Sequence, residues 1–128
     1  MANLVLRHSY GIDKKWRWRQ GNGAGWIYPK DMETRHVFYT IRMIWNHSVP
    51  PQMRVGKNYR MYSGFGPEYT RDYMKSAVVH LMHELSTRKD MIDEWRQEYE
   101  EIMSYLREYD FSEVYFIAGP RAALPSPT

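Results

Sequence analysis

The sequence predicts a mostly α-helical fold, or an α+β fold. In either case the fold has a three-helix core, a small β-hairpin and a long Gly- and Tyr-rich loop. Three observations support this prediction. Three segments carry apolar residues at helical spacing, and each is bounded by proline or by a polar capping residue. A glycine-rich turn separates two short aromatic stretches. The chain has 128 residues, which fits one domain. We therefore expect a single domain over residues 1–118 and an extended or disordered tail over 119–128.

The first helix is predicted over residues 32–47, where the apolar residues form one helical stripe. Asp31 is a candidate N-cap, following Pro29. The helix has to end before Pro50, because proline lacks a backbone donor and disfavours helical backbone in the residue before it. The stripe consists of Val37, Phe38, Ile41, Ile44 and Trp45.

The second and third helices are predicted over residues 68–87 and 90–109. Pro67 and Glu68 suit the first turn of the second helix, and Asp90 can cap the third. The short connection between these two helices predicts an antiparallel pair. Their apolar stripes consist of Met74, Ala77, Val78, Leu81 and Leu85 and of Met91, Ile92, Trp95, Tyr99, Ile102, Met103 and Leu106.

The remaining segments are less regular. Residues 14–28 predict a hairpin around the sequence QGNGAG, because glycine permits positive φ in tight turns. Residues 3–8 are a candidate strand, and residues 113–117 are either a strand or a last helical turn. Residues 52–66 form the long connection rich in glycine and tyrosine.

Charge is distributed unevenly along the chain. Residues 1–66 carry eleven Lys and Arg against three Asp and Glu, a net charge of +8, whereas residues 67–128 carry seven against twelve, a net charge of −5. Either the two halves pack together and neutralise each other, or they form separate basic and acidic faces that bind different partners.

Several chemistries are excluded or disfavoured by the composition. The chain contains no cysteine, which excludes disulfides, cysteine-ligated zinc and thiol catalysis. No G-x-S-x-G motif is present, and GNGAG lacks the spacing of a dinucleotide or phosphate loop. His80 and Glu84 lie one helical turn apart beside His83, but hydrogen bonding explains them better than a metal site. We expect a protein that is not an enzyme and that has no metal and no cofactor.

Basic and aromatic residues alternate in the predicted hairpin and recur in the long connection. Either the tryptophans of the hairpin pack on the core, or bases stack on aromatic rings while cations hold phosphates. The second alternative predicts a nucleic-acid-binding surface. Its candidate residues are Lys14, Lys15, Trp16, Arg17, Trp18, Arg19, Arg54, Lys57, Tyr59 and Arg60. We expect the hairpin tryptophans to divide, with one mostly buried and the other partly exposed.

The third helix is strongly acidic on the side away from its apolar stripe. This side is either a solvated helix face or a surface that binds a basic protein partner. The aromatic loops are the other surface through which the chain could bind a protein. The candidate partner-binding residues are Asp93, Glu94, Glu98, Glu101 and Glu108. No apolar run approaches the length of a membrane span, and the N-terminal residues do not form a secretory signal, which predicts a cytoplasmic protein without a membrane partner.

The segments YTIRMIWNHSVPPQMR and YMKSAVVHLMHELSTR, within residues 37–88, resemble small uncharacterised proteins of tailed bacteriophages. The shared features are a Trp-Asn-His helix end, a proline-rich break and a second amphipathic helix ending in Thr-Arg. The resemblance implies an accessory protein of the host cytoplasm that binds nucleic acid, or that binds and inhibits or recruits a host protein.

Overall fold

The computed structural model describes residues 12–21, 23–57 and 66–108, and it confirms the predicted fold class of three helices with one small hairpin. The predicted strand at 3–8, the segment 113–117, the tail and most of the Gly- and Tyr-rich loop lie outside these residues. The elements are strands β1 (Trp18–Gln20) and β2 (Gly25–Ile27) and helices α1 (Thr34–Ser48), α2 (Arg71–Ser86) and α3 (Asp93–Glu108), with short 3-10 turns at Pro29–Asp31 and Pro51–Met53.

Helix α1 begins two residues later than predicted. Asp31 is not its cap, because Asp31 belongs to the 3-10 turn that follows Tyr28, and Glu33 occupies the capping position without a side-chain hydrogen bond. The whole predicted apolar stripe is buried. The helix ends at Ser48, and the amide of Val49 donates to the carbonyl oxygen of Trp45 just ahead of the prolines.

The predicted starts of α2 and α3 are also too early. Thr70 caps α2, since its hydroxyl oxygen accepts a hydrogen bond from the Tyr73 amide at 3.1 Å, and Pro67 and Glu68 precede the helix. Asp90 lies three residues before α3, and its carboxylate accepts a hydrogen bond of 2.6 Å from the Thr34 hydroxyl. The predicted stripe of α2 is buried, whereas Ile92 in that of α3 is 50% exposed, contrary to prediction.

Contacts between the helices define their directions. Arg88, just past the end of α2, donates to the hydroxyl of Thr34 at the start of α1, so the two helices are antiparallel. Helix α3 runs in the same sense as α1, because Phe38 stacks on Trp95 and Trp45 stacks on Tyr105 farther along both helices. Helix α3 is therefore opposed to α2, which agrees with the predicted antiparallel pair.

The strands form an antiparallel hairpin in which Trp18 pairs with Ile27, Arg19 with Trp26, and Gln20 with Gly25. Gly23 and Gly25 have φ angles of 70° and 88°, which lie in the left-handed region that glycine adopts without strain. Because side chains alternate along a strand, the buried Trp18 and the half-buried Ile27 turn towards the helices. Arg19 and Trp26 lie on the other side of the hairpin, where the exposed Trp26 ring keeps an edge contact with Tyr73 at 6.4 Å between ring centres.

Candidate nucleic-acid interface

Two tyrosines hold the main chain of residues 17–19: Tyr69, just before helix α2, and Tyr73, in its first turn. The amide of Arg19 donates to the Tyr73 hydroxyl at 2.7 Å, and that hydroxyl donates to the carbonyl oxygen of Arg17 at 2.8 Å. The Tyr69 hydroxyl donates to the carbonyl oxygen of Arg19 at 2.7 Å. Burial raises the pKa of Tyr73 to about 12, so the hydroxyl keeps the proton that it donates. The arginine side chains are left to face outwards.

The tryptophans that precede the turn interleave with rings of α2. Trp16 stacks on His80 at 4.7 Å and on Tyr73 at 5.5 Å between ring centres. His80 and Tyr73 are seven residues apart, a rise of about 10.5 Å, so the Trp16 ring fits between them and offers a ligand only its edge. Trp18 stacks on Tyr73 as well and is 4% exposed. The predicted division of the two tryptophans is confirmed, and both serve packing.

The exposed aromatic ring of the hairpin is Trp26. It is 47% exposed, and the guanidinium carbons of Arg17 and Arg19 lie 5.3 Å and 5.4 Å from its ring centre. The sequence prediction did not include Trp26, although the residue belongs to the same glycine-rich stretch. The antiparallel pairing of Arg19 with Trp26 across the turn places the ring beside the two arginines. We call Arg17, Arg19 and Trp26 the Arg–Trp–Arg cluster.

Further cations flank this cluster along the chain. Residues 12–31 contain five Lys and Arg against two Asp, a net charge of +3. Lys14 and Lys15 are exposed before β1, and Lys30 is exposed after β2. Glu68 partly offsets them, with its carboxylate 3.7 Å from the Arg19 guanidinium and both side chains well exposed. An exposed ion pair of this kind contributes little and is easily exchanged for a phosphate contact.

The remaining predicted nucleic-acid residues do not belong to this cluster. Arg54 donates to the carbonyl oxygen of Asn46 near the end of α1, and Lys57 is exposed beyond it. A Cβ atom on Gly56 would approach side chains of α1 and α3, so this connection lies beside those helices, whereas the hairpin packs on α2. Tyr59 and Arg60 lie outside the described residues. A role for these four residues stays a prediction.

His80 has both ring nitrogens engaged. Nε2 accepts a hydrogen bond from the Asp13 amide at 3.0 Å, and Nδ1 donates to the Ser76 carbonyl oxygen at 2.8 Å. Burial lowers the pKa of His80, which favours this neutral state. His80 thus fastens the segment before β1 to α2. Within residues 12–21, 23–57 and 66–108 no group of three metal-ligating side chains is found.

A cleft of about 610 Å³ opens beside the hairpin, at the end opposite the glycine turn. Trp16, Tyr28 and Pro29 line one part of it, and Ile12 and Asp13 another. Lysines and residues of α2 complete its lining: Lys14, Lys30, His80, His83 and Glu84. The Nζ atom of Lys30 lies 5.9 Å from the ring centre of Tyr28, which is 37% exposed.

The acidic side of α3 differs from the prediction at one residue. Glu98 is buried to 8% exposure, and its carboxylate pairs with the Arg42 guanidinium at 3.0 Å. The expectation that Glu98 faces solvent is therefore wrong, because a partner on α1 neutralises it inside the fold. The other predicted residues of this surface are exposed: Asp93, Glu94, Glu101 and Glu108.

The chain matches no protein-family model, no curated protein and no solved structure. The resemblance to tailed-bacteriophage proteins, together with the cytoplasmic location that it implies, therefore stays a prediction. Among the described helices, none is long and apolar enough to cross a membrane.

Proposed function

We propose that this chain is a non-enzymatic protein that binds nucleic acid through the Arg–Trp–Arg cluster, with Lys14 and Lys15 beside it. The observation that supports the proposal is the half-exposed Trp26 ring, which both guanidinium groups approach within 5.4 Å. An exposed tryptophan beside two cations combines the two contacts that nucleic acids use, stacking of a base and neutralisation of phosphate.

The packing behind the cluster favours this function. The Tyr73 hydroxyl accepts from the Arg19 amide and donates to the Arg17 carbonyl oxygen, so the two arginine side chains start from a fixed main chain. Cation–π contacts with Trp26 contribute only about 0.5–1 kcal/mol each at an exposed site. A guanidinium can therefore leave the ring for a phosphate at small cost, and the ring can then accept a base.

The first experiment is oligonucleotide binding as a function of salt concentration. Each phosphate contact contributes about 0.7–0.9 to the slope of log affinity against log salt. Arg17→Gln and Arg19→Gln should each weaken binding and lower this slope by about one contact. Arg35→Gln changes an exposed arginine on α1 and serves as the matched control. Absence of binding by the unmodified chain at low salt would refute the proposal.

The aromatic contact is tested separately. Trp26→Ala should weaken binding by about 1–3 kcal/mol, the usual contribution of a stacked base. Tyr39→Ala removes another exposed aromatic ring, on α1, and should leave the affinity unchanged. Equal affinities of both variants and the unmodified chain would show that Trp26 does not contact the ligand.

A second proposed function is a protein-interaction module that uses the acidic side of α3 to bind, and thereby inhibit or recruit, a basic host protein. The supporting observation is that Asp93, Glu94, Glu101 and Glu108 are all exposed. Capture from bacterial lysate with and without nuclease separates the two functions. A partner that survives nuclease and is lost on Glu94→Gln with Glu101→Gln would favour this second function.

A further inference from the structure

The outward side of the hairpin leads directly into the cleft. Trp18 and Ile27 form the last strand pair before the hairpin opens, and Arg17 and Tyr28 are the next residues on the two strands. Trp26 and Tyr28 are two residues apart in extended chain, which places them about 6.6 Å apart along the same side. The Arg–Trp–Arg cluster and the mouth of the cleft are thus neighbouring parts of one surface.

The cleft has the size and chemistry to take one nucleotide. Its volume of about 610 Å³ falls within the usual range for sites that hold small organic ligands. Tyr28 offers an exposed ring at the mouth, and Lys14 and Lys30 offer ammonium groups to a phosphate.

The acidic residues of the cleft do not prevent a nucleotide from binding there. Glu84 is already neutralised by Arg88, whose guanidinium nitrogens lie 2.9 Å from its carboxylate. Asp13 is exposed, and its carboxylate accepts the amide of Lys15 at 2.9 Å. His83 contributes a buried Nδ1 atom that has no hydrogen-bond partner within the described part of the chain, and such an atom gains from a polar ligand.

We infer that the cleft receives one unpaired base of a strand whose neighbouring base stacks on Trp26, so that the protein selects single-stranded nucleic acid over duplex. This inference rests on the proposed nucleic-acid function. A paired base is held inside the duplex and cannot enter a cleft, whereas the bases of a single strand are free to turn out of line. Both strand types can still reach the arginines through their phosphates.

The decisive measurement compares one DNA sequence and its RNA equivalent as single strand and as duplex, at fixed salt. The unmodified chain should prefer the single strand by about tenfold or more. Tyr28→Ala should lose about 5- to 150-fold in affinity for the single strand, the range of one stacked base, and leave duplex affinity unchanged. Lys30→Gln, a second variant at the mouth, should also weaken single-strand binding, and Lys89→Gln is the control at an exposed lysine past α2.

The outcomes separate this inference from the function on which it rests. Binding to neither strand type refutes the proposed function itself. Equal affinity for single strand and duplex, still dependent on Arg17 and Arg19, leaves the function standing and overturns the cleft. A single strand carrying a photoreactive base should crosslink to Tyr28 or His83. Crosslinks confined to other parts of the chain would likewise overturn the inference.

Discussion

The Tyr73 hydroxyl bridges the two arginines of the hairpin through their main chain, 2.7 Å from the Arg19 nitrogen and 2.8 Å from the Arg17 oxygen. In a sheet of only two short strands, these main-chain groups have no partner on a further strand. The Tyr73 side chain of α2 takes the place of that strand for the Arg19 amide and the Arg17 carbonyl. The cluster proposed to bind nucleic acid is rigid at its base for this reason, while its guanidinium groups remain outside.

Replacing Tyr73 by phenylalanine tests this bridge. Tyr73→Phe keeps the stacked ring but leaves the part-buried amide of Arg19 without its acceptor, so we expect a loss of about 1–3 kcal/mol in the free energy of unfolding. Hydrogen exchange of the Arg19 amide should become faster. Tyr28→Phe, at an exposed ring, is the control and should stay within about 0.5 kcal/mol. Unchanged exchange at Arg19 would contradict the bridge.

The ion pair between Arg42 and Glu98 gives a second prediction. Both side chains are mostly buried and their charged atoms lie 3.0 Å apart, so removal of one leaves the other charge without its partner. We expect Arg42→Met to lower the free energy of unfolding by about 3 kcal/mol, as measured by chemical denaturation.

The double variant Arg42→Met with Glu98→Leu is the check on this explanation. It removes both charges and retains apolar volume, so it should recover most of the lost stability. If the double variant loses as much free energy of unfolding as the two single variants together, the two charges do not act on each other.

Gly56 lies against the same ion pair, which leaves no room for a side chain at this position. Its φ angle is 90°, and a Cβ atom there would lie 2.8 Å from a guanidinium nitrogen of Arg42 and 3.2 Å from a carboxylate oxygen of Glu98. Gly56→Ala should therefore cost about 1–2 kcal/mol for the left-handed backbone, with a further loss from displacement of the pair. Gly21→Ala, where a Cβ atom meets open space, should leave the denaturation midpoint nearly unchanged.

The sequence predicted the three helices because each apolar stripe lies in one continuous segment, and local spacing is enough to detect it. It placed the helix starts too early, because several polar residues near each start could act as the cap. Ile92 therefore fell inside the predicted third helix, whereas α3 begins after it and leaves its side chain exposed. Asp31 and Asp90 are acidic residues near helix starts that serve neighbouring turns and hydrogen bonds instead.

The site was only partly predictable for a different reason. Arg17 and Arg19 follow from the alternation of residues, but the contribution of Trp26 depends on the register across the glycine turn, which the sequence left open. The burial of Glu98 depends on Arg42, a residue 56 positions earlier in the chain. Contacts across such separations cannot be deduced from local pattern.

His80 predicts a pH dependence of stability. Burial lowers the pKa of His80 below its usual value of 6.5, so the folded state favours the neutral ring and the unfolded state binds a proton more readily. The stabilisation is complete above pH 6.5 and is lost as the pH falls below that value towards the pKa of the folded state. The pKa of His47 is also lowered, first by burial and second by the positive charge of Arg54, so His47 contributes a pH dependence of the same sign as His80.

Denaturation curves between about pH 8 and pH 5.5 measure this effect. The free energy of unfolding should fall towards the acidic end, and His80→Gln should reduce that fall without abolishing it, because His47 still contributes. A direct titration of the two imidazole rings by NMR should place both pKa values below 6.5. A pH slope that is the same with and without His80 would contradict the assignment.

The last prediction separates the tryptophans that pack the hairpin from the one that faces solvent. Trp18 is 4% exposed and stacks on Tyr73, so Trp18→Ala should lower the free energy of unfolding by about 3–5 kcal/mol. Trp26 is 47% exposed, and Trp26→Ala should lower it by no more than about 2 kcal/mol, the sum of its two cation–π contacts. Thermal or chemical denaturation of the two variants, which remove the same side chain from the two strands of one hairpin, measures the difference. If Trp26→Ala instead unfolds the chain as Trp18→Ala does, Trp26 belongs to the core, and the Arg–Trp–Arg cluster has no free ring for a base.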